Sequence, residues 1–424
     1  MFILAILRLA ACLVSLAVLS IAVWLLWTWQ AGEVLYDPGA GLVVHRDPWR
    51  LWTGLALLAW SFLGRFVATA LVARPDREGG LSPAPRRQGL LGAPSGDVLY
   101  VQMFGPEGAR PIILTHGWGL DASMWRYATR DLAGRHQLVL WDLPGLGRSR
   151  AASHAPITLE RYAADLAFLI EQTGPKKPVL VGHSIGGMII QTLLRDRPDL
   201  QDRIAGVVLA NTTYANPLRT MALSRLWLAL QKPLVEPLLV LAGRIGLLLW
   251  PFMWQSYLSG WAHLSQRAGF GRFVTRSQLE QTTRLVTRNP PSIQAMGNRA
   301  MLRWDAQGAL GRTRLPALII GASADIVTRP EASHRIAGET AQGRLQIVEG
   351  ANHMGPLERH DLYNLMIATF AEGLASPRQG HEAQGPIQRG GFRPTSARGQ
   401  TPRPSQTRPT LPGAARQPPQ APPG

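Results

Sequence analysis

The stretch PVLVGHSIGGMIIQTLLRD, residues 178–196, is the feature that most limits what this chain can fold into. An unbroken apolar run enters a glycine-rich turn and leaves as a segment of helical periodicity, which predicts a buried strand, a sharp turn and a helix. Gly182 and Gly186 flank Ser184 in the pattern G-x-S-x-G, and the strand-turn-helix context is the one in which this pattern displays a serine. Ser184 is therefore predicted at a helix N-terminus, where unpaired N–H groups favour negative charge.

The same alternation of apolar runs and amphipathic segments surrounds this turn. The predicted strands are, in chain order, 98–104, 111–117, 136–142, 178–184, 204–212, 316–325 and 344–353. Continuous apolar strands separated by helices indicate a parallel sheet covered on both faces. We therefore predict a doubly wound, mostly parallel α/β core from residues 96–212 and 305–375, with residues 213–304 inserted between its two parts.

Two apolar runs within residues 1–75 predict membrane-spanning helices at about 9–31 and 51–73. A bilayer needs roughly 20 apolar residues, and tryptophans crowd the ends of both runs, at the level where an indole meets the headgroups. A cleaved signal peptide fits the first run less well, because the run is long and a second one follows.

The charges that flank these runs predict an orientation. The loop of residues 33–50 has Arg46 and Arg50 against three acidic residues, whereas the segment after the second run is basic, with Arg74, Arg77, Arg86 and Arg87. Because basic segments are retained in the cytoplasm, we expect a multi-pass protein of a bacterial inner membrane with the large domain on the cytoplasmic side.

Composition sets further limits. Residues 76–95 are rich in Gly, Pro, Ser and Arg and predict a linker, while the Pro- and Arg-rich residues 376–424 predict a disordered tail whose protein partner the sequence does not identify. The net charge of +17 comes from dispersed arginines rather than a clustered face, so no nucleic-acid partner is expected. Cys12 is the only cysteine, which excludes an internal disulfide and a thiolate metal cluster.

A displayed serine becomes a nucleophile when a base takes its proton and an acid orients that base. His353 follows the last predicted strand in EGANHMG, and Asp325 follows the preceding one in GASAD. Carboxyl ends of parallel strands share one edge, so both side chains are predicted beside Ser184. The strand ending LANTT is followed by no acid, which favours Asp325 as the acid. The other candidates lie away from strand ends and suit structural roles: His263, His334, His360, Asp305 and Asp361.

A loop at the same edge of the sheet supplies candidate hydrogen-bond donors for the substrate oxygen. LTHGWGLD, residues 114–121, follows a predicted strand and brings His116, Gly117, Trp118 and Gly119 to that edge. Small residues in such a loop let backbone N–H groups point at a substrate oxygen, and each donor of this kind contributes roughly 3 kcal/mol to stabilising the transition state.

In combination, HGWG, DLPGLGRS, GHSIGG, GASAD and GANHMG make residues 97–374 resemble the α/β-hydrolases, in particular serine esterases and lipases with a helical cap. The resemblance implies catalysis by Ser184, Asp325 and His353 without metal or cofactor. It also implies an oxyanion hole from the N–H groups of Trp118 and Ile185. The supporting residues are His116, Gly117, Gly119, Gly182, His183 and Gly186, and Asp142 is expected to shape a tight turn.

The sequence therefore predicts a membrane-anchored serine hydrolase that cleaves a carboxylic ester. A thioester or carbon–carbon substrate, or a non-catalytic hydrolase fold that serves as a membrane scaffold, remains an alternative. The inserted residues 213–304 are dominated by Leu and Trp and predict an apolar helical cap. A single crossing by this segment would separate the 316–325 strand from its sheet partners. We expect the cap to rest on the bilayer and admit lipophilic acyl substrates, unless its apolar side chains only pack against the core.

Overall fold

A computed structural model describes residues 2–76, 82–152, 156–221 and 223–374. The predicted disordered tail at 376–424 and part of the predicted linker lie outside these residues. The chain begins with helix α1 (Phe2–Ala31), a short hairpin of β1 (Glu33–Asp37) and β2 (Gly41–His45), and helix α2 (Pro48–Val72). The two helices pack closely at Gly54, where an added Cβ would lie 2.8 Å from Leu26 Cγ. Both helices begin earlier than their apolar runs predict.

A sheet of eight strands forms the core. Its strands are β3 (Arg87–Gly92), β4 (Val98–Phe104), β5 (Pro111–Thr115), β6 (Gln137–Trp141), β7 (Val179–His183), β8 (Gly206–Ala210), β9 (Ala317–Ala322) and β10 (Gly343–Val348). They are arranged in the order β10-β9-β8-β7-β5-β6-β4-β3. The six strands from β10 to β6 are parallel, and β4 and β3 extend the sheet antiparallel. This sheet confirms the predicted mostly parallel α/β fold.

Strand β3 departs from the predicted linker at 76–95. All six residues Arg87–Gly92 pair with β4, although nearly all their side chains are exposed. Backbone hydrogen bonds to a neighbour hold this edge strand, so its sequence needs neither an apolar run nor alternation. The composition of the segment therefore indicates exposure correctly but misses the strand.

Helices cover both faces of the sheet. They are α3 (Arg126–Leu132), α4 (Leu159–Gln172), α5 (Ile185–Asp196), α12 (Pro330–Glu339), the short α13 (Gly355–Glu358) and α14 (His360–Gly373). Helices α4, α5 and α12 contribute to one apolar cluster, and α3 and α14 to the other. Thr158 caps α4, where its hydroxyl accepts from Arg161 N at 3.1 Å.

The insertion between β8 and β9 is helical. It contains α6 (Ser224–Leu230), a π-helical turn (Gln231–Val235), α7 (Glu236–Arg244), α8 (Gly246–Leu258), α9 (Trp261–Arg267), α10 (Arg276–Arg288) and α11 (Pro291–Leu302), and we call it the cap. The cap lies over the carboxyl ends of the strands: Asn289 Nδ2 donates to Gly119 O at 2.8 Å, and Gln278 Nε2 to Leu357 O at 2.9 Å.

Helices α1 and α2 pack against the cap helices α8 and α9. Ser15 Oγ and Ser259 Oγ are 2.7 Å apart, and Gln255 Nε2 donates to Ser61 O at 3.1 Å. At Gly64 an added Cβ would lie 2.4 Å from Ser259 O, so only glycine permits this approach. The N-terminal helices and the cap thus share a packed interface that includes polar groups.

Three helical segments among the described residues are long and apolar enough to cross a bilayer: Leu4–Ala31, Pro48–Val72 and Ser224–Arg244. The third belongs to the cap and is longer than its prolines suggest, because Pro233 lies in the π-helical turn and Pro237 in the first turn of α7. Strands β8 and β9, which flank the cap, are hydrogen-bonded neighbours in one sheet, so a single bilayer crossing by the cap would separate them.

Candidate active site

Ser184 occupies a strained turn between β7 and α5. Its backbone angles are φ 54° and ψ −115°, a region that non-glycine residues rarely adopt and that is typical of functional positions. The flanking glycines permit the turn: an added Cβ would lie 2.4 Å from the Gly186 backbone at Gly182, and 2.5 Å from Thr115 O at Gly186. Strand β7, helix α5 and the end of β5 therefore approach so closely that positions 182 and 186 leave no room for a side chain.

Hydrogen bonds connect the three residues predicted as nucleophile, base and acid. Ser184 Oγ lies 3.0 Å from His353 Nε2, and His353 Nδ1 lies 3.0 Å from Asp325 Oδ2. All three side chains are buried. When Nδ1–H donates to the carboxylate, Nε2 is left as the acceptor for the serine hydroxyl, which is the tautomer that a general base requires.

The carboxylate of Asp325 is held by further donors. Val327 N and Thr328 N each donate to Oδ1 at 2.8 Å, and the Thr328 hydroxyl donates to Oδ2 at 2.8 Å. Burial alone would raise the pKa of Asp325, but the His353 ring and the Thr328 hydrogen bonds outweigh it and hold that pKa below its usual value. Asp325 is therefore ionised at neutral pH and fixed in orientation.

Asn211 is a site residue that the sequence analysis missed. It follows β8, at the alternative position for an acid, with φ 47°, and its Nδ2 donates to Asp325 Oδ2 at 3.0 Å and to Asn352 O at 3.1 Å. The Tyr363 hydroxyl, from α14, donates to Asn211 Oδ1 at 2.5 Å. The available signal was an Asn at a strand end, because Asn tolerates positive φ better than most residues.

The loop after β5 lies against the serine turn. An added Cβ at Gly117 would lie 2.5 Å from His183 Nδ1, and Gly119 adopts φ +77°. Leu143 N donates to His116 Nε2 at 2.9 Å, so Nδ1 carries the proton and donates to Gly117 O at 2.9 Å. Burial lowers the pKa of His116, which keeps the ring neutral and this tautomer in place.

The backbone N–H groups of Trp118 and Ile185 have no hydrogen-bond acceptor among the described residues. Ile185 is the first residue of α5, where N–H groups lack intrahelical partners. The indole of Trp118 is anchored in the cap, since its Nε1 donates to Gln294 O at 3.2 Å. The cap therefore holds the Trp118 side chain, while the Trp118 backbone N–H has no acceptor in the described part of the chain.

The His183 side chain contacts the backbone of His353. Its Nε2 lies 2.9 Å from His353 O, so the ring donates to the backbone of the histidine that contacts Ser184. Burial, and then the neighbouring His353 ring, lower the pKa of His183 to about 3. The His183 ring is thus neutral at neutral pH.

The remaining candidates have structural roles. Asp142 accepts from Ala122 N at 2.7 Å and from Arg148 N at 2.8 Å, which fixes the predicted turn, and burial raises its pKa. The others lie outside the serine site: His263 contacts Glu280, His334 lies in α12, His360 stacks on Tyr127, and Asp305 and Asp361 pair with surface arginines. Within the described part of the chain, no group of three or more His, Cys, Asp or Glu residues is arranged to hold a metal ion.

Solved structures share this fold. An esterase from Thermogutta terrifontis with malate bound superposes with a TM-score of 0.56 at 21% identity, covering 68% of this chain and 100% of that one. An esterase from Exiguobacterium antarcticum also gives 0.56, at 18% identity over 68% of this chain and 100% of its own. An enol-lactonase from Burkholderia xenovorans gives 0.55 at 20% identity, over 67% of this chain and 100% of its own.

Curated relatives match a shorter region. Pimeloyl-[acyl-carrier protein] methyl ester esterase of Photorhabdus laumondii is 36% identical over 102 residues, and that of Sodalis glossinidius is 39% identical over 101 residues. Each match covers 24% of this chain and 36% of the relative, so the chain spans about a third of the length of these relatives. The family model for the alpha/beta hydrolase fold matches residues 110–360. This match includes all three residues of the hydrogen-bonded row, and the chain belongs to the α/β-hydrolase fold family.

Proposed function

We propose that this protein is a membrane-anchored serine hydrolase that cleaves a lipophilic carboxylic ester through an acyl-enzyme on Ser184. The observation that carries the proposal is the hydrogen-bonded row from Ser184 Oγ to His353 Nε2 and from His353 Nδ1 to Asp325 Oδ2, each link 3.0 Å long. A buried carboxylate, a histidine in the required tautomer and a serine on a strained turn form the arrangement that activates a hydroxyl at neutral pH.

The reaction follows from this geometry. Ser184 Oγ attacks the ester carbonyl carbon while its proton passes to His353 Nε2. The carbonyl oxygen becomes an oxyanion and accepts hydrogen bonds from the N–H groups of Trp118 and Ile185. The intermediate collapses as the C–O bond breaks, and His353 returns the proton to the leaving alkoxide. Water then attacks the acyl-enzyme with His353 again as base, which releases the acid and restores Ser184.

An oxygen ester is favoured over the alternatives. The curated relatives that match this chain are methyl ester esterases by name, and two of the similar structures are esterases. A thioester would be cleaved by the same three residues. The geometry therefore does not distinguish an ester substrate from a thioester substrate, and a competition between the two substrates does.

The lengths of α1 and α2 support membrane anchoring. From Ser15, which contacts Ser259 of the cap, to Ala31 the helix rises about 24 Å at 1.5 Å per residue. The hydrocarbon core of a bilayer is about 30 Å thick. If the hairpin of α1 and α2 crosses the whole hydrocarbon core, the part of it that packs against the cap must also enter the bilayer. The cap helices α8 and α9 then enter with it.

Many exposed side chains of the cap are apolar, as contact with the bilayer interior would require. Leu247 and Leu248 of α8 are 79% and 69% exposed, and the exposed leucines of α6 and α7 include Leu226, Leu238 and Leu241. Large exposed apolar side chains in one part of a protein mark a site of membrane or protein contact when they form a patch. We therefore place the entrance for lipophilic substrates at the cap, facing the acyl chains of the bilayer.

A fluorophosphonate probe tests the nucleophile. The full-length protein in a neutral detergent should be labelled stoichiometrically, and Ser184→Ala should not be labelled. Ser323→Ala, on a surface serine after β9, is the matched control and should label as the wild type does. Labelling that persists in Ser184→Ala, or no labelling and no hydrolysis in the wild type, would contradict the proposal and favour a scaffold.

A matched series of p-nitrophenyl esters and thioesters of increasing acyl length tests the substrate class. We expect kcat/KM to rise with chain length for the esters and to exceed that of the thioester of equal length. A preference for thioesters would replace the proposed substrate while leaving the role of Ser184 intact.

A further inference from the structure

The cap contacts the loop after β5 from two sides. On one side, Trp118 Nε1 donates to Gln294 O at 3.2 Å, and the indole packs so closely on helix α11 that Gly297 leaves no room for a side chain. On the other side, Asn289 Nδ2 donates to Gly119 O at 2.8 Å. These cap residues lie in α11 and in the turn that joins α10 to α11. The loop that carries the Trp118 N–H is therefore fixed by this part of the cap.

The side chain of Gln294 connects the two contacts. It is buried, and its Nε2 donates to Val286 O at 2.9 Å and to Asn289 O at 2.8 Å. Carbonyls at the end of a helix lack partners within the helix, so this amide satisfies two of them at the end of α10. Gln294 thus holds the turn whose Asn289 contacts Gly119, while its own backbone carbonyl holds Trp118.

Arg8 reaches the same amide from helix α1. Its Nη1 donates to Gln294 Oε1 at 3.4 Å, and its Nη2 donates to Gln266 Oε1, on α9, at 2.8 Å. Arg8 is the only charged residue in the sequence of Phe2–Ala31. A charged side chain in an apolar helix is costly, and it usually serves a specific contact. Here the contact is with the cap, so a chain of hydrogen bonds runs from α1 through Gln294 to the loop after β5.

We propose that Arg8 and Gln294 are positioning residues for the oxyanion hole, so that helix α1 contributes to the rate of the reaction as well as to anchoring. The proposal rests on the function proposed above, in which the Trp118 N–H stabilises the oxyanion. Both residues act through the loop and not on the substrate. A hydrogen-bond donor stabilises an oxyanion best when it is already held in place before the reaction, and a misplacement of about 1 Å can cost about 100-fold in rate.

Arg8→Met and Gln294→Met remove the polar groups of this chain of hydrogen bonds and keep side chains of similar length. The full-length variants are assayed in dodecyl maltoside with p-nitrophenyl acetate, a soluble ester. We expect kcat to fall about tenfold in Arg8→Met and at least as far in Gln294→Met. The loss should be smaller than the roughly 10²–10³-fold cost of removing an oxyanion donor, because the donor is still present. KM should change little, since the interaction is made in the transition state.

A double variant shows whether Arg8 acts through Gln294. If it does, Arg8→Met combined with Gln294→Met should be no slower than Gln294→Met alone, because the second substitution removes a contact that is already lost. Losses that multiply in the double variant would contradict the link. Wild-type kcat in either single variant would also contradict it.

An inhibitor separates positioning of the oxyanion donors from a general disturbance of the fold. A trifluoromethyl ketone forms an adduct with Ser184 whose oxyanion occupies the hole, whereas the corresponding alcohol forms no adduct. The inhibition constant of the ketone should rise by the factor by which kcat/KM falls, as expected for a transition-state analogue, and that of the alcohol should stay unchanged. A rise for both compounds, or for neither, would overturn the proposal.

Arg65→Met and Gln255→Met are the matched controls, because both side chains also lie where the N-terminal helices meet the cap. Arg65 packs on the rings of Phe66 and Tyr257, and Gln255 Nε2 donates to Ser61 O at 3.1 Å. Over the described ranges, neither side chain is hydrogen-bonded to the loop after β5. Both variants should keep the wild-type kcat. A tenfold loss in them would mean that any damage to this interface slows the reaction, and the specific role of Arg8 would be lost.

Fluorophosphonate labelling distinguishes failure of this inference from failure of the proposed function. Each variant should be labelled at Ser184 to completion at long times, which confirms that the site is folded. A wild-type protein that neither hydrolyses esters nor is labelled would contradict the proposed function itself. An active wild type whose rate is unchanged by Arg8→Met and Gln294→Met would contradict only the positioning role.

Discussion

At the scale of single residues, the carboxyl of Asp165, on helix α4, faces the carboxyl of Asp97. Asp165 Oδ1 accepts from Ser95 Oγ at 2.5 Å, while Oδ2 of both aspartates has no other hydrogen-bond partner among the described residues. Burial, and then the charge of Asp97, raise the pKa of Asp165 from 3.8 to about 7. Asp165 therefore keeps its proton in the folded protein up to nearly neutral pH.

This pair predicts a pH-dependent gain from Asp165→Asn. The native state binds the proton between the unfolded pKa of 3.8 and the folded pKa of about 7, so the wild type loses stability as pH rises through that window. The amide donates to Asp97 at every pH. Relative to the wild type, the variant should gain on the order of 2 kcal/mol from pH 4 to pH 8 after solvent screening, measured by urea unfolding.

Asp202→Asn, on an exposed aspartate, is the control and should show no such trend. A constant difference between Asp165→Asn and the wild type across pH 4–8 would show that Asp165 does not hold a proton in this range.

Asp325→Asn tests the acid of the reactive row. The amide is similar in shape but carries no charge, and its NH₂ group can stabilise the wrong tautomer of His353, so kcat should fall about 10⁴-fold. Asp305→Asn, on an exposed aspartate that pairs with Arg219, should leave kcat unchanged. The readout is the hydrolysis rate of a p-nitrophenyl ester, with thermal unfolding to confirm the fold. A loss of less than tenfold would remove Asp325 from its proposed role.

At the scale of elements, the sequence identifies the central strands and the serine turn because their signals are local. Strands β5 to β9 are buried on both faces, so each is an unbroken apolar run that ends at a glycine or polar residue. Strand β3 and Asn211 carry no local signal of this kind. The edge strand depends on backbone pairing with β4, and Asn211 depends on Tyr363, 152 residues away, which only the folded chain brings near.

The cap shows the same limit. Its Leu and Trp content predicts an apolar surface but not which side chains are outside. Trp250 and Trp254 are half-buried, and Trp250 Nε1 donates to Thr287 O at 2.8 Å within the cap. The exposed apolar surface is instead formed by leucines, so a test of membrane contact should replace leucines of the cap.

Replacing Leu247 and Leu248 by Asn should weaken hydrolysis of a long-chain ester presented in vesicles by about tenfold or more, because each buried leucine contributes roughly 1.5–3 kcal/mol to transfer from water. Hydrolysis of soluble p-nitrophenyl acetate should be unchanged. Leu365→Asn, on an exposed leucine of α14 outside the cap, should affect neither substrate. Equal losses on both substrates would indicate a folding defect instead, and no loss on vesicles would remove the cap from substrate entry.

At the scale of the whole molecule, the charges at the two ends of the α1–α2 hairpin predict how it would be oriented in a membrane. At the β1–β2 end, Arg50 pairs with Glu33 at 2.5 Å and with Asp47 at 3.2 Å, and the Arg46 guanidinium donates to Gln30 O. At the other end, Arg74 packs on Phe273, and the chain continues into a basic segment. Basic residues are retained on the cytoplasmic side of a membrane, so we expect the more basic end, and the hydrolase domain with it, to lie in the cytoplasm.

Single cysteines test this orientation in a Cys12→Ser background. Ala40→Cys lies in the exposed turn between β1 and β2, and Ala341→Cys in an exposed turn after α12. In intact cells of a bacterial host whose outer membrane has been opened, a membrane-impermeant maleimide should label the first at once and the second only after the inner membrane is permeabilised. The reverse pattern would place the hydrolase domain outside. Labelling of both cysteines without permeabilisation would mean that the hairpin does not cross the membrane. Only about 24 Å of α1 lies beyond its contact with the cap, whereas the hydrocarbon core is roughly 30 Å thick, so a crossing requires part of the cap to enter the bilayer as well.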